Sequence, residues 1–245
     1  EDYPELHVVA AGSLLEFALK DLSSFGVGRV SSLFVYPMSF DEFLMATGQE
    51  GLLRTKRNCS PLNPLPEAFY AKLVEALRSY MLVGGMPEAV ATYTETGSYR
   101  YSSNIVNEII QGYQDDFAKY GAKANPLLLR QTLISVAHQA GAKFVYSRVE
   151  GQYRSAEVKV ALEMLKDAGL IIPTYHTDAN GVPLGAEINE RVVKYLIHDT
   201  GVLLGILAID DDIDDSIKEM MVADSIDLVD KGHVAEMMAG LELIK

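Results

Sequence analysis

The stretch Ser155-Ala156-Glu157-Val158-Lys159-Val160-Ala161-Leu162-Glu163-Met164-Leu165-Lys166-Asp167-Ala168-Gly169-Leu170-Ile171-Ile172 contains the change of rhythm that decides the fold. Val158, Ala161, Leu162 and Leu165 recur at helical spacing, Gly169 stops the helix, and the apolar run after it starts a strand. Upstream, Asn125-Pro126 opens a helix bearing Leu128, Leu129, Leu133 and Val136 and closed by Gly141, and Phe144-Val145-Tyr146 is a short extended or helical link. Downstream, Tyr175-His176 continues the strand, Asn180-Gly181 signals a hairpin turn, and Leu184 to Ile188 can return as its partner. Helix, link, helix and hairpin, in that order, are the elements of a winged helix-turn-helix over 123–200.

Further upstream the pattern is helical. Pro66 begins a helix in which Phe69, Leu73, Leu77 and Met81 recur every four residues until Gly84-Gly85 end it. Pro87 starts another to about 96, and Ile105, Ile109, Tyr113 and Phe117 mark a third. Ser39 with Glu42 forms a capping box before Phe40, Phe43 and Leu44. Nearer the start, Leu6 to Ala11 and Val30 to Tyr36 read as short strands, the first suited to a sheet covered on both faces. Beyond the hairpin, Tyr195 to His198 reads as a strand, followed by a helix over about 199–208, another to about 222 and a last from about 230. The chain is therefore mainly α with small β.

At 245 residues, 49% hydrophobic and 22% charged, the chain can bury a substantial core. No apolar run approaches the roughly 20 residues of a membrane span, and no signal peptide opens the sequence. With Cys59 alone, no intrachain disulfide forms, which fits a reducing cytoplasm. The net charge is −13, and residues 205–245 hold 11 acids against 3 bases. Such a balance handicaps nucleic-acid binding by the chain as a whole. The start at Glu1 without Met, and the stop at Lys245 inside an amphipathic pattern, read as the ends of an interior piece.

Asp210, Asp212 and Asp214 have the spacing of a calcium loop, but Asp215 and Met221 stand where the loop needs Gly and Glu. They read as acids at a helix start, and the five histidines have no zinc spacing, so no metal site is expected. Arg29 follows Gly26 and Gly28 before a strand, where it is either a surface residue or a group that stabilises a transferring phosphoryl. On the second helix of the winged unit, Arg154, Lys159 and Lys166 are the candidate nucleic-acid contacts, interleaved with Glu157 and Glu163.

The blocks Val8 to Leu15, Val27-Gly28-Arg29-Val30, Tyr36 to Leu44, Tyr80 to Val90, Lys119-Tyr120-Gly121 with Ala124-Asn125-Pro126, Leu162 to Ile171, and Asp199-Thr200-Gly201-Val202-Leu203 together resemble a bacterial and archaeal family of AAA-superfamily P-loop ATPases with a C-terminal, nuclease-like domain of unknown function. The resemblance implies a remnant of an α/β P-loop domain at 1–50, a helical lid at 51–122, the winged helix at 123–200 and the helical start of the terminal domain at 201–245. It implies ATP and Mg2+ in the parent protein, held by a Gly-x-x-x-x-Gly-Lys-Ser/Thr loop and an acidic strand end. Neither occurs in these residues, so the fragment is expected to bind no cofactor and to be inactive alone. By the same resemblance Arg29 is an arginine finger or sensor. Ser13 occupies a sensor position, or is a plain helix cap. The expected partner is a protein or nucleic acid and not a membrane, with self-association through an exposed strand edge. The alternatives are a winged-helix regulator that binds nucleic acid without turnover, and an interaction module of a defence system.

Overall fold

The computed structural model describes residues 7–10, 12, 31–118, 125–207 and 231–245. Ser13, Arg29, the helix expected after Ser13 and the Asp210–Asp215 cluster lie outside them. The described chain is mainly helical with one two-stranded antiparallel sheet.

Helices α1 (Phe40–Ala46), α2 (Glu50–Arg57), α3 (Glu67–Val83), α4 (Pro87–Thr96) and α5 (Tyr99–Phe117) come first. The expected capping box starts α1: Ser39 Oγ accepts the Glu42 amide at 3.3 Å, and a Glu42 carboxylate oxygen accepts the Ser39 amide at 2.7 Å. Phe40, Phe43 and Leu44 face inward, joined by Leu53, Leu73, Tyr80, Val83, Val90 and Tyr99 in a first core. Phe43 is wholly buried, a burial that favours the fold by about 2–3 kcal/mol.

Next come α6 (Pro126–His138), a 3-10 turn at Tyr146–Arg148, α7 (Ser155–Asp167), β1 (Ile171–Thr177), β2 (Ile188–Ile197), α8 (Thr200–Leu207) and α9 (Lys231–Glu242). The order expected for 125–200 is present. Asn125 caps α6 by accepting the Leu127 amide at 3.0 Å. The link at Phe144 is extended, donates its amide to Val193 O at 2.9 Å, and sets the Phe144 ring edge-on to Tyr146 and Tyr195. The inward faces of α5 to α9 and the sheet form a second, larger core around Leu129, Leu162, Leu165, Ile171, Ile197 and Leu203. Met238 of α9 and Leu77 of α3 touch both cores, so α9 fastens one to the other.

Three expectations need correction. The two-residue turn at Asn180-Gly181 is the tip of a longer loop, because the pairing runs out at Thr177 and Ile188. Glu187 holds that loop by accepting the Asn180 amide at 2.9 Å, and Leu184–Glu187 is a 3-10 turn rather than a strand. The runs expected as separate strands near 188 and at 195–198 are one strand, β2, with a bulge opposite Tyr175/His176. Finally, residues 7–10 and 31–36 pair with no strand among the described residues. Val9, Leu33 and Val35 are 96%, 87% and 87% exposed. A strand exists only through its ladder, and an apolar run without neighbours stays extended and solvated.

Candidate functional site

Tight backbone approaches bring three distant segments together. The Met38 amide donates to Gly85 O at 2.7 Å, and the Gly85 amide donates to Asp199 Oδ2 at 2.6 Å. Asp199 is 2% exposed and caps α8 with its other oxygen, which accepts the Val202 amide at 3.0 Å. No side chain fits at Gly84, Gly85 or Gly201, where a Cβ would run into the Asp199 carboxylate, the Met38 carbonyl and the Val83 carbonyl respectively. Gly84 also has φ +79°, a left-handed conformation that glycine adopts without strain.

Around this junction lies a polar knot. A Glu242 carboxylate at the end of α9 accepts the Phe40 amide at 3.1 Å and thereby caps α1 from outside its own segment. The Tyr80 hydroxyl donates to Met38 O at 2.7 Å, with Glu242 Oε1 at 3.1 Å. Lys245 Nζ donates to Met38 O and to the Tyr80 oxygen, each at 2.8 Å. Burial, then the charges of Glu242 and Asp199, push the Tyr80 hydroxyl above its ordinary pKa, so it stays a donor. Beside the knot is a groove of about 460 Å³ with Asp41, Lys56 and Arg57 on its wall. Lys56 reaches one Asp41 oxygen at 2.5 Å and Arg57 the other at 3.0 Å. Burial lifts the Asp41 pKa, but these two cations outweigh it and hold the carboxyl below its usual value.

On the other side of Asp199, His198 is buried. Its Nδ1 lies 3.2 Å from Leu170 O, which can only accept, so Nδ1 carries the proton. Its Nε2 then accepts the Tyr113 hydroxyl at 3.1 Å. Burial pushes the imidazole pKa down, and Asp199 opposes the shift without cancelling it. Burial together with Asp199 pushes the Tyr113 pKa up to about 12. The pair borders a cavity of about 130 Å³.

The carboxylates of the junction are thus occupied as caps for backbone amides, and the groove cations as partners of Asp41. That arrangement locks segments together, with the described carboxylates and cations at its centre engaged in structural contacts. Among the described residues no group of three His, Cys, Asp or Glu side chains could hold a metal ion.

Of the residues singled out from sequence, Arg154 and Lys159 are exposed at the start of α7, with the Arg154 amide held by the Glu157 carboxylate at 2.8 Å. Lys166 pairs with Glu163 at 2.6 Å, a contact that raises the Lys166 pKa. These three are not drawn into the junction. Asp199, Glu242 and Tyr80 were not singled out, although Asp199 standing before an apolar helix is an N-cap signal.

A family model matches residues 74–213, more than half of the chain. The chain belongs to the family described as a domain of unknown function, DUF8612. The DUF8612 match includes Gly85 and Asp199, helices α6 to α8 and both strands, and leaves Met38 and Glu242 outside. Comparison with curated proteins and with solved structures gives no match. No helix among the described residues is long and apolar enough to cross a membrane.

Proposed function

We propose that this chain is a non-catalytic portion of an AAA-type P-loop ATPase, acting as the mechanical link between the nucleotide domain and a winged helix. The observation that supports this reading is the run of direct contacts from Met38 to Gly85 to Asp199. Met38 follows the exposed residues 31–36, and Asp199 follows β2 and opens α8. A shift of the 31–36 segment would therefore be felt at the winged unit with no soft element in between. The described residues do not fit ATP and Mg2+: the groove cations Lys56 and Arg57 are paired with Asp41, and no cluster of three His, Cys, Asp or Glu side chains among them could hold a metal ion. The nucleotide would be held elsewhere in the protein, and no step of its hydrolysis is assigned to these side chains.

The test is phosphate release from ATP, measured first on this chain and then on the protein encoded by its uninterrupted reading frame. No turnover is expected from the chain. The reading frame should carry a Gly-x-x-x-x-Gly-Lys-Ser/Thr loop and sustain turnover. Turnover by the chain alone that Arg29→Ala abolishes would sink the proposal, and so would a reading frame without such a loop. In the second case a winged-helix regulator that binds nucleic acid without turnover becomes the reading to pursue, favoured by the exposure of Arg154 and Lys159 on α7.

A further inference from the structure

Charge is unevenly divided along this acidic chain. Residues 125–160 carry five bases (Arg130, Lys143, Arg148, Arg154, Lys159) and two acids (Glu150, Glu157), a net of +3 within a chain of −13. All five cations are exposed, and among the described residues none is in an ion pair. Elsewhere among the described residues Lys56 and Arg57 pair with Asp41, Lys166 with Glu163 and Lys194 with Glu236, whereas Arg54, Lys72 and Arg191 stand singly and are not gathered on one face.

Four of the five are carried by elements in contact. The Tyr153 hydroxyl donates to Gln131 Oε1 at 2.7 Å, which ties the residue before Arg154 to the residue after Arg130. Arg130 and Gln131 lie on the outward stripe of α6 with Leu127, Ile134 and His138. The 3-10 turn bearing Arg148 packs on α7, and Lys159 stands one helical turn beyond Ser155 on the open face of α7. The hairpin loop has the opposite character, with Asp178, Glu187 and Glu190 against Arg191.

We infer that the face formed by Arg130, Arg148, Arg154 and Lys159 is a docking surface for the phosphate backbone of duplex DNA, approached by the start of α7 and not by the hairpin loop. Guanidinium groups that no described carboxylate pairs with, spread across a helix, a turn and a second helix, suit a row of phosphates. A helix at the centre of the face suits the major groove of B-form DNA better than the deep, narrow groove of duplex RNA. The inference deepens the nucleic-acid reading by giving it a surface, and it does not depend on ATP turnover.

Fluorescence anisotropy of a labelled mixed-sequence DNA duplex, titrated with the full chain over a range of salt, tests it. Wild type is expected to bind with a log–log salt slope of about −3 to −4, as for four phosphates neutralised. Arg130→Ala, Arg148→Ala, Arg154→Ala and Lys159→Ala should each flatten the slope by about one, and Lys166→Ala should leave it unchanged. Circular dichroism confirms that each variant is folded. Absence of binding at low salt overturns the surface and the nucleic-acid reading together. Binding that survives Arg130→Ala/Arg148→Ala/Arg154→Ala keeps that reading and overturns this surface. Equal competition by polyglutamate shows a general polyanion site, and equal competition by duplex RNA shows a surface indifferent to groove shape. Either result overturns the assignment to DNA.

Discussion

The Glu242 carboxylate accepts the backbone amide of Phe40 across 202 positions of sequence, so the first described helix is capped by the last. Local capping by Ser39 satisfies the Glu42 amide of α1, whereas the Phe40 amide depends on Glu242. The same carboxylate stands beside Tyr80 and Lys245, and α9 adds Val234, Met237 and Leu241 to the second core.

Glu242→Ala should lower stability by about 2 kcal/mol, a fall in Tm of roughly 4–8 °C, because a charge-assisted cap is lost and Lys245 loses its counter-charge. Thermal unfolding followed by circular dichroism measures it. Glu242→Gln keeps an acceptor oxygen and should cost less. Equal losses in the two variants would show that acceptor geometry is not what matters.

Asp199→Ala should cost about 3 kcal/mol, since it strands the buried amides of Gly85 and Val202 at once. Asp199→Asn keeps one acceptor and should fall between. Urea midpoints give the ranking, and an Asn variant as weak as Ala would contradict it.

Two glycine substitutions should act with opposite signs. Gly85→Ala forces a methyl against the Met38 carbonyl and should destabilise by at least about 2 kcal/mol. Gly51, inside α2 with open space around it, should gain up to about 1 kcal/mol as Ala. Chemical denaturation of both variants is the check, and a shared sign would refute the packing argument.

Thr132 offers a third kind of change. Its Oγ1 is buried without a hydrogen-bond partner among the described residues. Thr132→Val removes the stranded hydroxyl at nearly constant shape and should raise stability by about 1 kcal/mol. A drop in the unfolding midpoint would mean that the hydroxyl has a role.

His198 sets a pH dependence. Above the ordinary imidazole pKa of 6.5 the ring is neutral in both folded and unfolded chains and adds no slope. Below it the unfolded chain takes up a proton that the folded chain resists. Stability therefore falls as pH drops from 6.5 toward the depressed folded value. Urea midpoints between pH 7 and pH 5 should fall more steeply in wild type than in His198→Gln. Parallel lines would rule out the imidazole as the source.

The helices were legible in the sequence because their signals are local. Ser39 with Glu42, Asn125 before Pro126, and the Val158 to Leu165 spacing each specify an element within a few residues. Ser155 has the residue type of a helix cap, but Arg154 holds that place at the start of α7, and Glu157 bonds its amide. The junction was not legible, because its partners lie 114 and 202 positions apart and an Asp before a helix does not announce a second amide. The apolar runs at 7–10 and 31–36 show the limit in the other direction. Composition suits a strand there, but pairing is a property of neighbours, and composition alone does not supply them.

Because Phe40 waits for Glu242, translation imposes a delay on this protein. At rates of about 5–20 residues/s, the ribosome needs roughly 10–40 s to deliver the cap after the helix it serves has emerged. Throughout that interval α1 carries an open amide, and the apolar side of the early helices lacks α9. A nascent chain of this design is a natural client for a holding chaperone until Glu242 has been made.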